Sequence, residues 1–481
     1  MQIDGLKFEK IKKYSTYIIA FTTLIIYAIL SAKSTVQLMN LGWEDEARFW
    51  LIVKNCTIAE IFSLMKSDGH MLIWYLLIKP FTKFLPYPHP MHLINWLFCL
   101  GAMIILWIKA PFNILVKIGM TLSPVFIAIH APRARCYGIG FVFLFLACAM
   151  YSKRLERPYL YFILLAIAAN TSFVAMIAAS ALGALFLFEL YYQCYSSKTS
   201  YKKPLLITVI VILIGIMYYF QFNNFAIPDY ETIKTNITAL MNPIGTFLGI
   251  EPIDTNNKTL LYQVIGLRCF VLTTMLIFAT RLKGFFVYFS TMALASMFFL
   301  NIYRPRIWHL AFFFIYFIVS NWIFLEEKPS KMAKNTLLAI SIVFLICFQT
   351  MEVLLPISPS YIYQFLKPHN EIVKQGKVFT FIDPIKIVVS LPRLNEEGIY
   401  LYDINGYNLS TYKGLFAYFK REEKRKEKTN IYNHLDKNKP NYLISGFDIN
   451  KIKDFKEVKN KLIIKNTIDG VDLYLFEIMK K

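Results

Sequence analysis

Met71-Leu72-Ile73-Trp74-Tyr75-Leu76-Leu77-Ile78-Lys79-Pro80-Phe81-Thr82-Lys83-Phe84-Leu85 is the stretch on which the topology turns. It is apolar, but Lys79, Pro80 and Lys83 interrupt it. A membrane-spanning helix needs about 20 consecutive, mostly apolar residues, so this stretch is too short and too charged. Read as interfacial or re-entrant, it puts Lys109 and Lys117 inside, Arg133 and Arg135 outside, and Lys153-Arg154-Leu155-Glu156-Arg157 inside. Read as crossing, it inverts that parity. The Lys153–Arg157 cluster would then lie outside, against the excess of Lys and Arg in cytoplasmic loops. The first reading is adopted.

Apolar runs on either side follow the same parity. The first span is Tyr17 to Val36, preceded by Lys7, Lys10, Lys12 and Lys13, which places the N-terminus in the cytoplasm. No small-residue cleavage site follows it, so it reads as an uncleaved helix. Further spans are expected at residues 91–108, 112–130, 138–152, 159–174, 175–192, 205–220, 262–280, 285–300, 308–325 and 336–355. The expected fold is therefore an α-helical polytopic membrane protein with about eleven spans, C-terminus outside. Residues 1–366 form its membrane domain, with residues 37–70 as an outer loop and 221–261 as a second, longer one. From 367 to 481 the composition changes. Short β-rich runs at 378–381, 399–402, 442–444, 462–464 and 473–476, with a charged helical stretch at 420–437, predict a small extracytoplasmic α/β domain.

Composition agrees. The chain of 481 residues is 56% hydrophobic, above the roughly 45–50% of soluble domains. Its formal charge of +21 sits in the connections and the tail rather than in an aromatic-and-basic patch. That excludes a nucleic-acid module and points to membrane lipids, anionic headgroups and phosphates as partners. The seven cysteines include no CxxC pair, and Cys99, Cys148 and Cys347 lie inside apolar runs, so a disulfide framework and a thiolate metal site are excluded. Abundant Ile, Lys, Asn and Phe point to a bacterial source and the bacterial cytoplasmic membrane.

Charge beside a membrane needs a reason. The outer loop reads Gly42-Trp43-Glu44-Asp45-Glu46-Ala47-Arg48-Phe49-Trp50, then an amphipathic run with Ile58, Ile61, Phe62 and Met65 on one face, then Asp68-Gly69-His70. Residues 43–66 are expected as two short helices. One reading of the acids is structural: Glu44 or Asp45 as a helix N-cap, with Trp43 and Trp50 as interfacial anchors. The other is chemical. Carboxylates, His70, Arg135, Arg304 and Arg306 fall on one side of the membrane, and a reaction on a lipid phosphate needs a base for the nucleophile and cations for the leaving group. His130 and His309 read as structural.

Trp43-x-Asp45-Glu46-Ala47-x-x-Trp50 followed by Asp68-Gly69-His70 resembles the first outer loop of the GT-C superfamily of integral-membrane glycosyltransferases. The nearest branch is the bacterial one that includes the lipid A aminoarabinose transferase and relatives of the protein O-mannosyltransferases. Ala134-Arg135-x-Tyr137 is similar to the family's Arg motif on the second outer loop; Met71 stands where the family has Pro. The resemblance covers residues 1–325. It implies an inverting transferase that moves a hexose or pentose from a polyprenyl-phosphate donor to an envelope glycan, lipid or protein. Asp45 would be the general base and Glu46 an acceptor-orienting or second acid. His70, Arg135, Arg304 and Arg306 would meet the donor phosphate, with Asp68 and Tyr137 beside them. No cofactor is expected, although family members differ in divalent-metal use. An oligosaccharide ligase or polymerase using diphosphate-linked donors is an alternative, but its key residues would gather in a late outer loop. A lipid-linked-sugar flippase or transporter is another, but it would bury charge mid-span in paired halves.

Overall fold

The computed structural model describes residues 2–41, 43–64, 71–222, 280–301, 311–339, 361–381, 389–403, 438–445, 458–468 and 471–480, together with 309, 387, 408, 409 and 434–436. Among the described residues the protein is mostly helical with one small sheet. Among them, three helices are long and apolar enough to cross a membrane: Tyr14–Asn40, His89–Lys109 and Phe173–Ser196. The described residues fall into two compact units.

The helical unit takes in Met1–Thr35, Phe62–Trp74 and Leu93–Val353. Helix α1 (Gln2–Leu41) contains the first expected span and is 40 residues long. Tyr17, Ile18, Phe21 and Ile29 along it are exposed apolar side chains, the mark of a surface meant for something other than water. Helix α5 (His89–Lys109) carries the second span. The third, expected over 112–130, is broken. Helix α6 (Ile114–Thr121) ends before Ser123-Pro124, and a π-helical turn Val125–His130 follows. Pro124 offers no N–H to the turn before it, which is why the helix cannot run through. Helices α7 (Tyr137–Met150), α8 (Pro158–Ala169) and α9 (Phe173–Ser196) pack on one another. The α8–α9 connection is tight, as expected, because the Ser172 side chain accepts from the Ala175 N–H and caps α9. Helices α10 (Lys202–Phe222), α11 (Leu282–Asn301) and α12 (Phe312–Glu326) match further expected spans, and α11 packs between α9 and α12. The loop 223–261, the span 262–279 and the run 340–355 lie outside the described residues.

One buried charge cluster ties this unit together. Arg154 donates from Nε to Glu189 Oε2 at 2.5 Å and from Nη2 to Glu189 Oε1 at 2.6 Å. Lys283 Nζ approaches the same carboxylate at 2.7 Å. Glu189 thus joins α9 to the turn after α7 and to the start of α11.

The loop–tail unit takes in Val36–Ile61, Tyr75–His92 and Leu354–Lys481. Two short helices form as expected, α2 (Glu44–Asn55) and α3 (Ile58–Leu64). Thr57 and Glu60 make a capping box for α3: Glu60 accepts from the Thr57 N–H at 2.8 Å, and Thr57 Oγ1 accepts from the Glu60 N–H at 3.3 Å. The expected apolar face of α3 is only partly buried: Ile61 is covered, Ile58 and Phe62 are exposed. Met65 lies outside the described residues.

The stretch from Met71 forms no helix long enough to cross a membrane. Helix α4 (Leu72–Ile78) has seven residues and gives way to a 3₁₀ turn, Lys79–Lys83. Seven residues span about 10 Å against a hydrocarbon core of about 30 Å. Lys79 has a local partner for its charge. Its Nζ donates to the carbonyls of Val53 at 2.8 Å and Cys56 at 2.5 Å, satisfying the C-terminal end of α2. Lys79→Met should therefore destabilise this unit by about 1.5–3 kcal/mol, the range for hydrogen bonds to a charged group. Denaturant unfolding of the purified variant measures it, and a change below about 0.5 kcal/mol would mean the lysine is not holding α2.

The tail is α/β. Each of the five expected runs overlaps a strand, the run at 399–402 only from Leu401: β1 (Lys377–Phe381), β2 (Leu401–Asp403), β3 (Asn441–Ser445), β4 (Val458–Ile468) and β5 (Val471–Lys480). The order is β2-β1-β3-β5-β4. β1 runs parallel to β2 and β3, while β5 runs antiparallel to β3 and β4. Gly376 enters β1 where a side chain could not. A Cβ there would lie 2.1 Å from the Pro440 carbonyl oxygen. The charged stretch at 420–433 lies outside the described residues.

Candidate functional site

Helix α2 begins at Glu44 in a way the sequence reading did not give. The N-cap is Trp43, in extended backbone and with no side-chain cap bond, so neither Glu44 nor Asp45 caps the helix. The Trp43 carbonyl accepts from the Ala47 N–H at 3.0 Å, which puts Glu44, Asp45 and Glu46 all inside the first turn. Three acids there meet the positive end of the helix dipole. Trp43 and Trp50 are not interfacial anchors either. They are 6% and 0% exposed and belong to the core of this unit.

Asp45 and Glu46 are neighbours in different surroundings. Asp45 is half-buried. Glu46 is fully buried, and its Oε2 lies 3.1 Å from His92 Nε2, itself 1% exposed. Trp50, one turn on from Glu46, packs against Tyr87 with ring centroids 5.8 Å apart. Burial pushes the Tyr87 hydroxyl above its usual pKa, and the nearby Glu46 charge pushes the same way while Arg393 opposes it. The Tyr87 N–H donates to Glu396 Oε1 at 2.6 Å. The Arg393 guanidinium donates to the Met39 carbonyl and, at 3.4 Å, to that of Asn40. The helix Leu391–Glu396 packs on α2. Tail residues thus hold both the entry to α2 and the turn that presents Tyr87 and His92.

His92 was not singled out from the sequence. The signal was there: His92 and Asn95 are polar residues three apart inside the apolar run of α5, and polar groups in such a run have a partner or a task. Asn95 has its task in the helical unit. Its Nδ2 donates to the carbonyls of His130 at 2.9 Å, Ala131 at 3.1 Å and Arg133 at 2.7 Å, and its Oδ1 accepts from the Gly138 N–H at 3.3 Å. This pins the turn that carries Arg135 and Tyr137. Gly138 lets α7 come that close, since a Cβ there would lie 2.8 Å from Asn95 Oδ1.

Arg135 and Tyr137 are buried at 3% and 1% exposure, rather than displayed on an open outer loop. Tyr137 OH lies 3.4 Å from His309 Nε2. His130 is enclosed edge-on by Tyr137, Phe141 and Phe312, which fits its structural reading. Of the residues expected at the site, Asp45 and Glu46 belong to the loop–tail unit and Arg135 and Tyr137 to the helical unit. Asp68, His70, Arg304 and Arg306 lie outside the described residues. Among the described residues no three His, Cys, Asp or Glu side chains gather as a metal set. Compared with known proteins, the chain matches no family model, no curated protein and no solved structure.

Proposed function

We propose that the chain is a polytopic membrane glycosyltransferase of the GT-C kind, with about eleven spans, an N-terminus in the cytoplasm and a C-terminus outside. It would move a sugar from a polyprenyl phosphate to an acceptor of the bacterial envelope at the outer face. The observation that carries this reading is the unequal pair at the start of α2: half-buried Asp45 beside fully buried, His92-paired Glu46. Two acids with different surroundings can divide the work of one reaction.

In this reading Asp45 takes the proton from an acceptor hydroxyl as that oxygen attacks the anomeric carbon. The bond from that carbon to the phosphate oxygen breaks on the opposite face, inverting the sugar, and polyprenyl phosphate leaves with the electron pair. Glu46 orients the acceptor. The resemblance would give Arg135, His70, Arg304 and Arg306 the task of offsetting the charge on the leaving phosphate, with Asp68 and Tyr137 as further family positions. Lipid extraction of the purified protein tests the donor class. A co-purifying monophosphate-linked sugar is the expected result. A diphosphate-linked oligosaccharide would instead favour a ligase, and a sugar-free lipid extract would count against both.

A further inference from the structure

The turn after α4 carries exposed apolar side chains. Phe84 is 80% exposed, and Leu76, Phe81 and Leu85 are exposed with it. In a 3₁₀ turn residues three apart lie on one side, so Phe81 and Phe84 project together from Lys79–Lys83. Leaving two Phe and a Leu in water forgoes the gain from burying them, and a run of such residues marks a contact surface.

Chain length and charge point to what covers it. Phe84 stands five residues before His89, where the helix His89–Lys109, long and apolar enough to cross a membrane, begins. Five residues reach at most about 18 Å, so the chain itself holds the turn near a membrane boundary. Lys83 is exposed between the two Phe residues, and no acidic residue lies between Asp68 and Glu156 in the sequence. Such a cation complements lipid phosphate, and its methylene stem can lie along acyl chains. The same turn is linked to the acids. Lys79, its first residue, donates to the Val53 and Cys56 carbonyls at the C-terminal end of α2, and the turn packs on α2, whose other end carries Glu44, Asp45 and Glu46. We propose that Phe81, Phe84 and Leu85 seat in the boundary between headgroups and acyl chains of a phospholipid leaflet, with Lys83 on the phosphates, and that Lys79 passes this anchorage to α2. The bilayer then orders the helix that bears the acids. This requires the chain to lie in a membrane, and it does not depend on the transferase reading.

The test uses the full chain in nanodiscs of phosphatidylglycerol and phosphatidylcholine. A nitroxide is placed at Phe84→Cys and, as a water-facing reference, at Lys374→Cys, which is exposed on the tail; the unsubstituted chain, treated alike, sets the background. Oxygen, which concentrates among acyl chains, is expected to relax the label at Phe84→Cys more than a water-soluble nickel chelate does, with the order reversed at Lys374→Cys. Adding Lys83→Glu should raise chelate access at the Phe84→Cys label, and no change would overturn the contact with phosphate. Phe81→Ser with Phe84→Ser should speed amide hydrogen exchange in the last turn of α2 roughly tenfold, the least that exposing a buried Phe would give, with the amides of β3 unchanged as the sign of a folded tail. Unchanged exchange in α2 would overturn its link to the anchor. A label at Phe84→Cys as open to the chelate as the reference would overturn the anchor. So would a label shielded from both reagents, which means protein covers the turn, or one broadened by a second label, which means a second copy does. Sugar transfer enters none of these readouts, so failure of the anchor and failure of the transferase reading are separate results.

Discussion

A chain ending at Leu366 is expected to lose sugar transfer altogether, with donor hydrolysis and acceptor choice failing together. The structure ties the tail to the loop that carries the acids. Arg393 meets the carbonyls of Met39 and Asn40 at the end of α1, Glu396 accepts from the Tyr87 N–H, and the helix between them packs on α2. Hydrogen bonds to charged groups contribute about 1.5–3 kcal/mol each. Removing the tail also uncovers Trp50 and Tyr87, now buried. Protease cutting between α2 and α4 should therefore rise sharply in the shortened chain. A shortened chain that still hydrolysed its donor at the wild-type rate, with that segment still protected, would show that the tail does not hold the loop.

The second large effect is expected far from the acids, at Glu189. Its carboxylate takes two hydrogen bonds from Arg154 and lies 2.7 Å from Lys283. Arg154 is 8% exposed, and its guanidinium also lies over the Tyr151 ring, 3.7 Å from the centroid. Breaking a buried pair by removing one partner strands the other charge, which costs about 3–5 kcal/mol. Glu189→Ala should be destabilised by that amount in micelles, measured by thermal or denaturant unfolding. The double variant Glu189→Leu with Arg154→Met should recover much of the loss, because two apolar side chains leave no buried charge unpaired. A single variant within about 1 kcal/mol of the wild type would mean that water already reaches the cluster.

Local signals in the sequence were strong where one interaction decides the structure. Lys79 and Pro80 inside an apolar run mark the end of the short helix α4, and Lys79 proves to be tied to the end of α2. The five β-rich runs overlap the five strands because β-branched and aromatic residues suit a pleated sheet surface. What pairs across long distances was not legible. Nothing in the order of residues joins Glu46 to His92, or Arg393 to Met39, since those contacts depend on how separate segments fold back on one another. The acids of α2 were visible as a cluster, but their division was not. Adjacent carboxylates look alike in a sequence, and only packing makes one half-buried and the other sealed. Trp43 and Trp50 misled for a related reason, because an aromatic residue near a membrane boundary has the same sequence signature whether it anchors to lipid or fills a core.

Sugar transfer by Asp45→Asn is the most direct test of the account. The measurement compares purified wild type and variant, at equal expression and melting temperature, with a radiolabelled polyprenyl-phosphate sugar and envelope extract as acceptor. Asn keeps the shape of the side chain but cannot take a proton from a hydroxyl. A general base contributes about 10²–10⁴-fold, so the account predicts a loss of that size in transfer with donor binding kept. Transfer by Asp45→Asn at the wild-type rate would contradict it.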